Sequence, residues 1–249
     1  MNETTVNDPK SRGLMTRSLL ACGVIGPPLF VLVFLIEGAT RPGYNPWRNW
    51  VSELSLGELG WMQIANFIVF GLLALGFAIG LRQVLRIGRG SLWGPILVAA
   101  FGLCLILAGI FVTNSNGSYP PGAPRSSSLS GTIHDIAGPG VFVSVTAACF
   151  VLARRFAGDP DWKGWARYSV ITGVVVPTAW VVCAVLAGLD YGGVLPGAPS
   201  GLFQRLSLIA GYAWIMLLAL RLMRERPPAA AATAARPRGE IKMRMERTT

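Results

Sequence analysis

The chain has 249 residues, 52% of them hydrophobic and only 14% charged, with a mean hydropathy of +0.51. This balance excludes a disordered chain and is too apolar for a water-soluble domain of this size. The 22 Lys and Arg against 12 Asp and Glu give a net charge of +10, which in a soluble protein would raise a nucleic-acid partner; here the location of the charges decides what their number means.

Six apolar stretches are long enough to cross a hydrocarbon core, which takes roughly 20 helical residues. They run over 18–38, 61–81, 92–113, 132–153, 168–189 and 202–223. Backbone polar groups find no water in lipid, so each stretch must be helical, and the period-2 pattern of a transmembrane barrel is absent. The predicted fold is an all-α integral membrane bundle of six transmembrane helices over 18–223, with an N-terminal tail at 1–17 and a basic, disordered tail at 224–249. The first stretch is read as a retained span because it is long enough to cross and Glu37 to Ala39 is a poor cleavage site.

Basic residues then orient the bundle. Lys10, Arg12 and Arg17, Arg82, Arg86 and Arg89, Arg154, Arg155, Lys163 and Arg167, and the C-terminal set from Arg221 to Arg247 fall on one side; only Arg41, Arg48, Arg125 and Arg205 fall on the other. The positive-inside rule places both termini in the cytoplasm of a multi-pass cell (inner or plasma) membrane protein, and the links after the first, third and fifth spans outside. With the acidic residues included, the two faces carry +11 and −1. The excess charge therefore encodes orientation, nucleic acid drops out as a partner, and the basic tail is expected to meet anionic lipid head groups.

The first outer link carries a pattern of its own. Asn45 and Pro46 form an N-cap and first-turn pair, and Trp47, Trp50, Val51 and Leu54 follow at helical spacing. This predicts a short amphipathic helix whose polar side holds Arg48, Asn49, Ser52 and Glu53. Such a helix would either lie in the interface or fold over the bundle mouth. Within the spans, Gly76 and Gly80 on the second, with Gly102 and Gly109 on the third, predict close helix contacts. Pro27, Pro28, Pro139 and Pro177 are expected to interrupt three helices, Pro139 beside His134 and Asp135. Cys22, Cys104, Cys149 and Cys183 all lie in spans, so no disulfide framework is implied.

Polar residues gather near the outer face: Asn66 in the second span, His134 and Asp135 at the start of the fourth, Gln204 and Arg205 at the start of the sixth. Ionisable groups at membrane depth usually face the interior and are paired. A buried Arg205 is expected to take a carboxylate from Glu53, Asp135 or Asp190; a peripheral one would snorkel. His134 is the only histidine, which removes a multi-histidine zinc site within one subunit and leaves no metal or cofactor expected. His134 as a base beside Asp135 or Glu53, activating Ser52, stays open, although capping or hydrogen bonding is the more ordinary role of a lone histidine at a helix start. No GxSxG, HExxH, Walker or dinucleotide motif is present.

The segment YNPWRNWVSEL from Tyr44 to Leu54, with Asn66 and Gly71 after it, resembles the opening signature of the bacterial and archaeal membrane family called domain of unknown function 998. The stretch from Gly109 to Gly138 is similar to that family's link into its histidine-bearing span, and GLFQRL from Gly201 to Leu206 to the start of its last span. The resemblance covers residues 19–223 and implies six spans without an activity. By position it picks out Ser52, Glu53, Asn66, His134 and Arg205. The acidic residue it implies after the third span stands here as Asn114 or Ser115.

The expected function is non-enzymatic binding of a lipid, small amphiphile or partner at the outer mouth, with Arg205, Asn66, Glu53, His134 and Trp50 as ligand-binding candidates. The alternatives are an intramembrane lipid hydrolase or transferase using His134 with Glu53 or Asp135, and a small-solute transporter, which the clustering of charge at one face, with few charged groups near the midplane, disfavours. Oligomeric state leaves no signal in the sequence.

Overall fold

Residues 9–225 are described in a computed structural model. All regular structure among them is helical: α1 Pro9–Thr40, α2 Gly60–Val84, α3 Trp93–Ile110, α4 Leu129–Phe156, α5 Lys163–Tyr191 and α6 Ser200–Arg224, with short 3-10 helices at Val51–Ser55 and Pro160–Trp162. Each long helix contains a stretch apolar enough to span a membrane. The expected contact of the basic tail with lipid falls on residues 226–249, outside the described residues.

The six helices form a ring in chain order. Each packs on its sequence neighbours, and α1 closes the ring against α6. The links 41–59, 111–128 and 192–199 therefore share one face, called the mouth here; 85–92 and 157–162 share the opposite, basic face. The ring is filled near its middle by Phe30, Phe70, Phe101 and Tyr212, one each from α1, α2, α3 and α6. The Tyr212 ring lies 5.4, 4.9 and 5.7 Å from the other three, all edge-on, the favoured arrangement for aromatic pairs.

Large apolar side chains such as Leu32, Leu72, Leu103, Val143 and Ile209 point outward, as expected where the surroundings are lipid. Because lipid tails are as apolar as leucine, close packing must hold the helices together. The small residues supply it. Gly76 and Gly80 of α2 abut Leu19 and Cys22 of α1, while Gly71, Gly102 and Gly109 join α2 to α3.

Some boundaries differ from expectation. α1 begins at Pro9, so part of the expected tail at 1–17 is helical, and α3 ends at Ile110, where Phe111 turns to an extended backbone. The helices run through Pro27, Pro28, Pro139 and Pro177, because packed neighbours tolerate the lost backbone bonds.

A Cβ at Gly71 would sit 2.6 Å from the Gly102 carbonyl oxygen, whereas one at Gly138 meets nothing within 4 Å. Gly71→Val is expected to cost about 1–3 kcal/mol through overpacking, read as a lower melting temperature in detergent, while Gly138→Ala leaves it equal or higher. Equal melting of wild type and Gly71→Val would contradict the contact.

Candidate functional site

The first mouth link does not lie along the interface. Asn45 Oδ1 accepts from the Trp47 amide at 3.0 Å, so the expected cap is present, but the turn it starts gives way to the 3-10 helix Val51–Ser55 after an extended Trp50. All five residues of that short helix are buried, and Asn49 is buried with them. The expected amphipathic helix with a solvated polar side is thus replaced by a segment inserted into the ring. Both of its faces have protein to meet.

What it meets is the start of α6. The Trp47 carbonyl accepts from the Leu202 amide at 3.0 Å, a donor left open at any helix N-terminus. The Ser200 hydroxyl donates to the Arg48 carbonyl at 2.9 Å, the Trp50 indole N–H donates to Ser200 Oγ at 3.2 Å, and the Val51 amide donates to Gln204 Oε1 at 2.7 Å. Gly201 permits the approach, since a Cβ there would overlap the Asn49 carbonyl oxygen.

Arg205 is 7% exposed and points inward. Its partner is not the expected carboxylate. Nη1 donates to the carbonyls of Pro46, Asn49 and Gly201 at 2.6, 2.9 and 2.9 Å, and Nη2 donates to the Tyr44 hydroxyl. The guanidinium also sits 5.8 Å from the Phe34 ring and 5.6 Å from the Tyr44 ring, within cation–π range. Backbone oxygens converging on one face of the turn provide the negative field that a carboxylate would have provided. Asp190, one of the three expected partners, instead takes Arg48 through bonds of 2.6 and 3.0 Å, which raises the Arg48 pKa.

Every arginine of the mouth is engaged in this way. Arg41 pairs with Glu37 and donates to the Leu56 and Leu59 carbonyls, and Arg125 donates to the Asn116 and Tyr191 carbonyls. They hold links to helices.

Glu53 is 2% exposed and touches none of them through a salt bridge. Its Oε2 accepts from the Trp50 amide at 2.7 Å and from Asn49 Nδ2 at 3.3 Å; its Oε1 lies 3.2 Å from Ser118 Oγ. Ser118 has one proton and a nearer acceptor, Asn116 Oδ1 at 2.6 Å. That one proton is shared between Asn116 Oδ1 and Glu53 Oε1, so the Ser118 bond offsets little of the cost of burying the carboxylate. Burial pushes the Glu53 pKa up, and the bonds from Trp50, Asn49 and Ser118 only partly offset it. Burial raises the Tyr44 pKa as well, against the lowering effect of Arg205, so Tyr44 stays a neutral phenol.

Beneath the inserted segment lies a cavity of about 220 Å³, bounded by Trp50 and Ser52 above, Phe67, Leu105, His134, Phe142 and Trp180 at the sides, and Tyr212 below. Its walls are mostly apolar. Gly138 and Pro139 leave the α4 wall without bulk, and Phe142 stacks on Trp180 at 5.6 Å. Asp135 stands at its rim and is exposed.

His134 Nδ1 lies 3.0 Å from the Ala108 carbonyl oxygen and 2.9 Å from that of Phe111. Carbonyls only accept, so Nδ1 carries the proton and Nε2, with no hydrogen-bond partner among the described residues, is the acceptor left to the cavity the ring lines. Neither Glu53 nor Asp135 is hydrogen-bonded to His134, and no hydrogen bond joins His134 to Ser52. Asn66 lies apart in the α1–α2 contact, donating to the Phe30 carbonyl and Gln63 Oε1 at 3.1 Å each. Among the described residues no group of three His, Cys, Asp or Glu side chains could hold a metal.

The mouth thus unites Ser52, Trp50, Gln204 and His134 around one cavity and sets Glu53 and Arg205 in its supports, while Asn66 belongs to the α1–α2 contact. Trp180 and Tyr212 escaped sequence reasoning because an aromatic in an apolar span reads as ordinary core. Asn116 and Ser118 escaped because the groups they meet, Tyr191 for the one and Asn49 and Glu53 for the other, lie far away in the chain.

Six apolar helices closed into a ring define a multi-pass membrane protein. A family model described as "Protein of unknown function (DUF998)" matches residues 24–221, and the chain belongs to that family. Neither the curated proteins nor the solved structures contain a match.

The raised Glu53 pKa has a sign that can be measured. Its contribution to stability is fully present below the ordinary value of 4.5 and is lost as pH rises through the folded pKa. The melting temperature of wild type minus that of Glu53→Gln is therefore expected to fall as pH rises above about 4.5 and then level off. A difference that grows with pH would mean that Glu53 is held as a stabilised anion.

Proposed function

We propose that this protein binds a lipid or small amphiphile at its mouth, the apolar part entering the cavity beneath the inserted segment and the polar part meeting His134 Nε2, Ser52 and Gln204. The observation that carries this reading is the cavity itself, apolar along most of its wall and polar where Ser52, His134 and Gln204 reach it, the usual composition of a small-molecule site. Access from the bilayer runs past Asp135 and Gly138, where α4 carries little bulk. His134 accepts a hydrogen bond, so the fitting head group offers a hydroxyl or amide donor. Glu53 and Arg205 act by holding the roof, and Trp50 by lining it. The positive-inside rule supports a mouth facing outward, with both termini in the cytoplasm of the cell membrane.

A second reading rests on one observation: the tautomer fixed by the Ala108 and Phe111 carbonyls leaves His134 Nε2 as a proton acceptor in the same cavity as the Ser52 hydroxyl. That pair would suit acyl transfer on a bound lipid. Binding is favoured over it, since no hydrogen bond joins the two side chains and no carboxylate orients the histidine. Transport has less support, because the Phe30, Phe70, Phe101 and Tyr212 cluster fills the ring below the cavity.

A Cβ at Gly138 meets open space, so a large side chain there fills the cavity without displacing the backbone. Wild-type protein purified in mild detergent is expected to retain an amphiphile detectable by native mass spectrometry, and Gly138→Phe to lose it with no fall in melting temperature. Retention by Gly138→Phe, or an empty wild type after exposure to total membrane lipid, would contradict the reading.

A further inference from the structure

A second groove opens on the opposite, basic face, along the seam between α4 and α5. It measures about 500 Å³ and is lined by Phe150, Ala153 and Arg154 of α4, by Ala157 just after it, and by Ala166, Arg167, Val170 and Ile171 of α5. Its origin is local. At Gly173 the two helices are close, a Cβ there lying 3.0 Å from the Phe150 ring; toward the basic face Ala153, Ala157 and Ala166 are too small to fill the space. Val170 and Ile171 are exposed, so the groove is open to acyl chains.

Its polar end differs from every arginine site of the mouth. Arg154 and Arg167 are both exposed and neither makes a hydrogen bond or ion pair among the described residues. Their neighbour Arg155 donates to the Ile87 and Arg89 carbonyls at 2.8 and 3.0 Å. Asp159 and Asp161 stand in the adjoining 157–162 link, and neither is paired with Arg154 or Arg167. Two uncommitted guanidinium groups therefore flank an apolar groove of a size that suits a bound molecule.

We propose that this groove holds an anionic phospholipid, one acyl chain lying against Phe150, Val170 and Ile171 and the phosphate bridging Arg154 and Arg167. Charge complementarity selects the occupant: guanidinium groups match phosphate oxygens in geometry and charge, and basic pockets between spanning helices attract acidic head groups. The site is separate from the mouth cavity and independent of the reading given for it.

The test uses the full chain in detergent and native mass spectrometry, titrated with dioleoylphosphatidylglycerol or dioleoylphosphatidylcholine. Wild type is expected to hold the anionic lipid at least about tenfold more tightly, given the attraction each basic residue contributes near a membrane surface. Arg154→Gln/Arg167→Gln is expected to bring it to the level of the zwitterionic lipid. The control Arg17→Gln/Arg89→Gln, which removes equal charge elsewhere, should retain the preference, and Val170→Trp should weaken both lipids by filling the groove. Equal binding of the two lipids to wild type, an equal loss in the control, or binding indifferent to Val170→Trp would overturn the proposal. So would displacement of the lipid by millimolar inorganic phosphate, which would identify a free-anion site. The same titration repeated in a Gly138→Phe background removes lipid held in the mouth cavity from the count; an anionic preference that persists there supports the groove and one that vanishes overturns it, which separates failure of this site from failure of the mouth cavity.

Discussion

A guanidinium buried in a lipid-embedded bundle must find oxygen atoms, and Arg205 finds them in the backbone of the first mouth link. The Pro46 and Asn49 carbonyls, the Tyr44 hydroxyl and the Gly201 carbonyl of its own helix surround it. The dependence is mutual. The link would carry unpaired carbonyls inside the ring, each costing about 1–3 kcal/mol if left so, and α6 would begin with open amides. Arg205 answers the first need, and the Trp47 carbonyl helps answer the second.

This exchange places a segment that is not α-helical inside the ring, where its backbone groups must be satisfied by protein. It brings Trp50, Val51 and Ser52 over the ring interior, while the Phe30, Phe70, Phe101 and Tyr212 cluster closes the ring from below. The cavity is the space between roof and plug. The stretches from Tyr44 to Leu54 and from Gly201 to Leu206 are the two partners of this contact. Glu53 belongs to the same roof: its acceptors hold the Trp50 amide and the Asn49 side chain and tie the first link to Ser118 of the second.

The six spans were legible because the need to satisfy backbone groups in lipid leaves helices as the outcome of long apolar runs. The glycine contacts were legible for a similar reason, since small residues are the means by which such helices approach. Arg205 stood out as a costly charge, but pairing it with Glu53, Asp135 or Asp190 assumed that only a carboxylate can satisfy a buried guanidinium; three carbonyls and a phenol solvate it here. The helical spacing of Trp47, Trp50, Val51 and Leu54 implied one wet face, whereas a segment lodged in a mouth has none. The cavity itself had no signature. It arises partly where side chains are missing, at Gly138, and missing volume becomes meaningful only when neighbours are placed.

The central claim is that the Arg205 contact holds the first mouth link in place as the roof of a cavity. Amide hydrogen exchange over residues 44–56, compared between wild type and Arg205→Met in nanodiscs, tests it most directly. The account predicts strong protection of the Trp50, Val51 and Glu53 amides in wild type and its loss in Arg205→Met, with α2 and α3 protected in both. A segment that exchanges freely in wild type, or protection that survives the substitution, would contradict it.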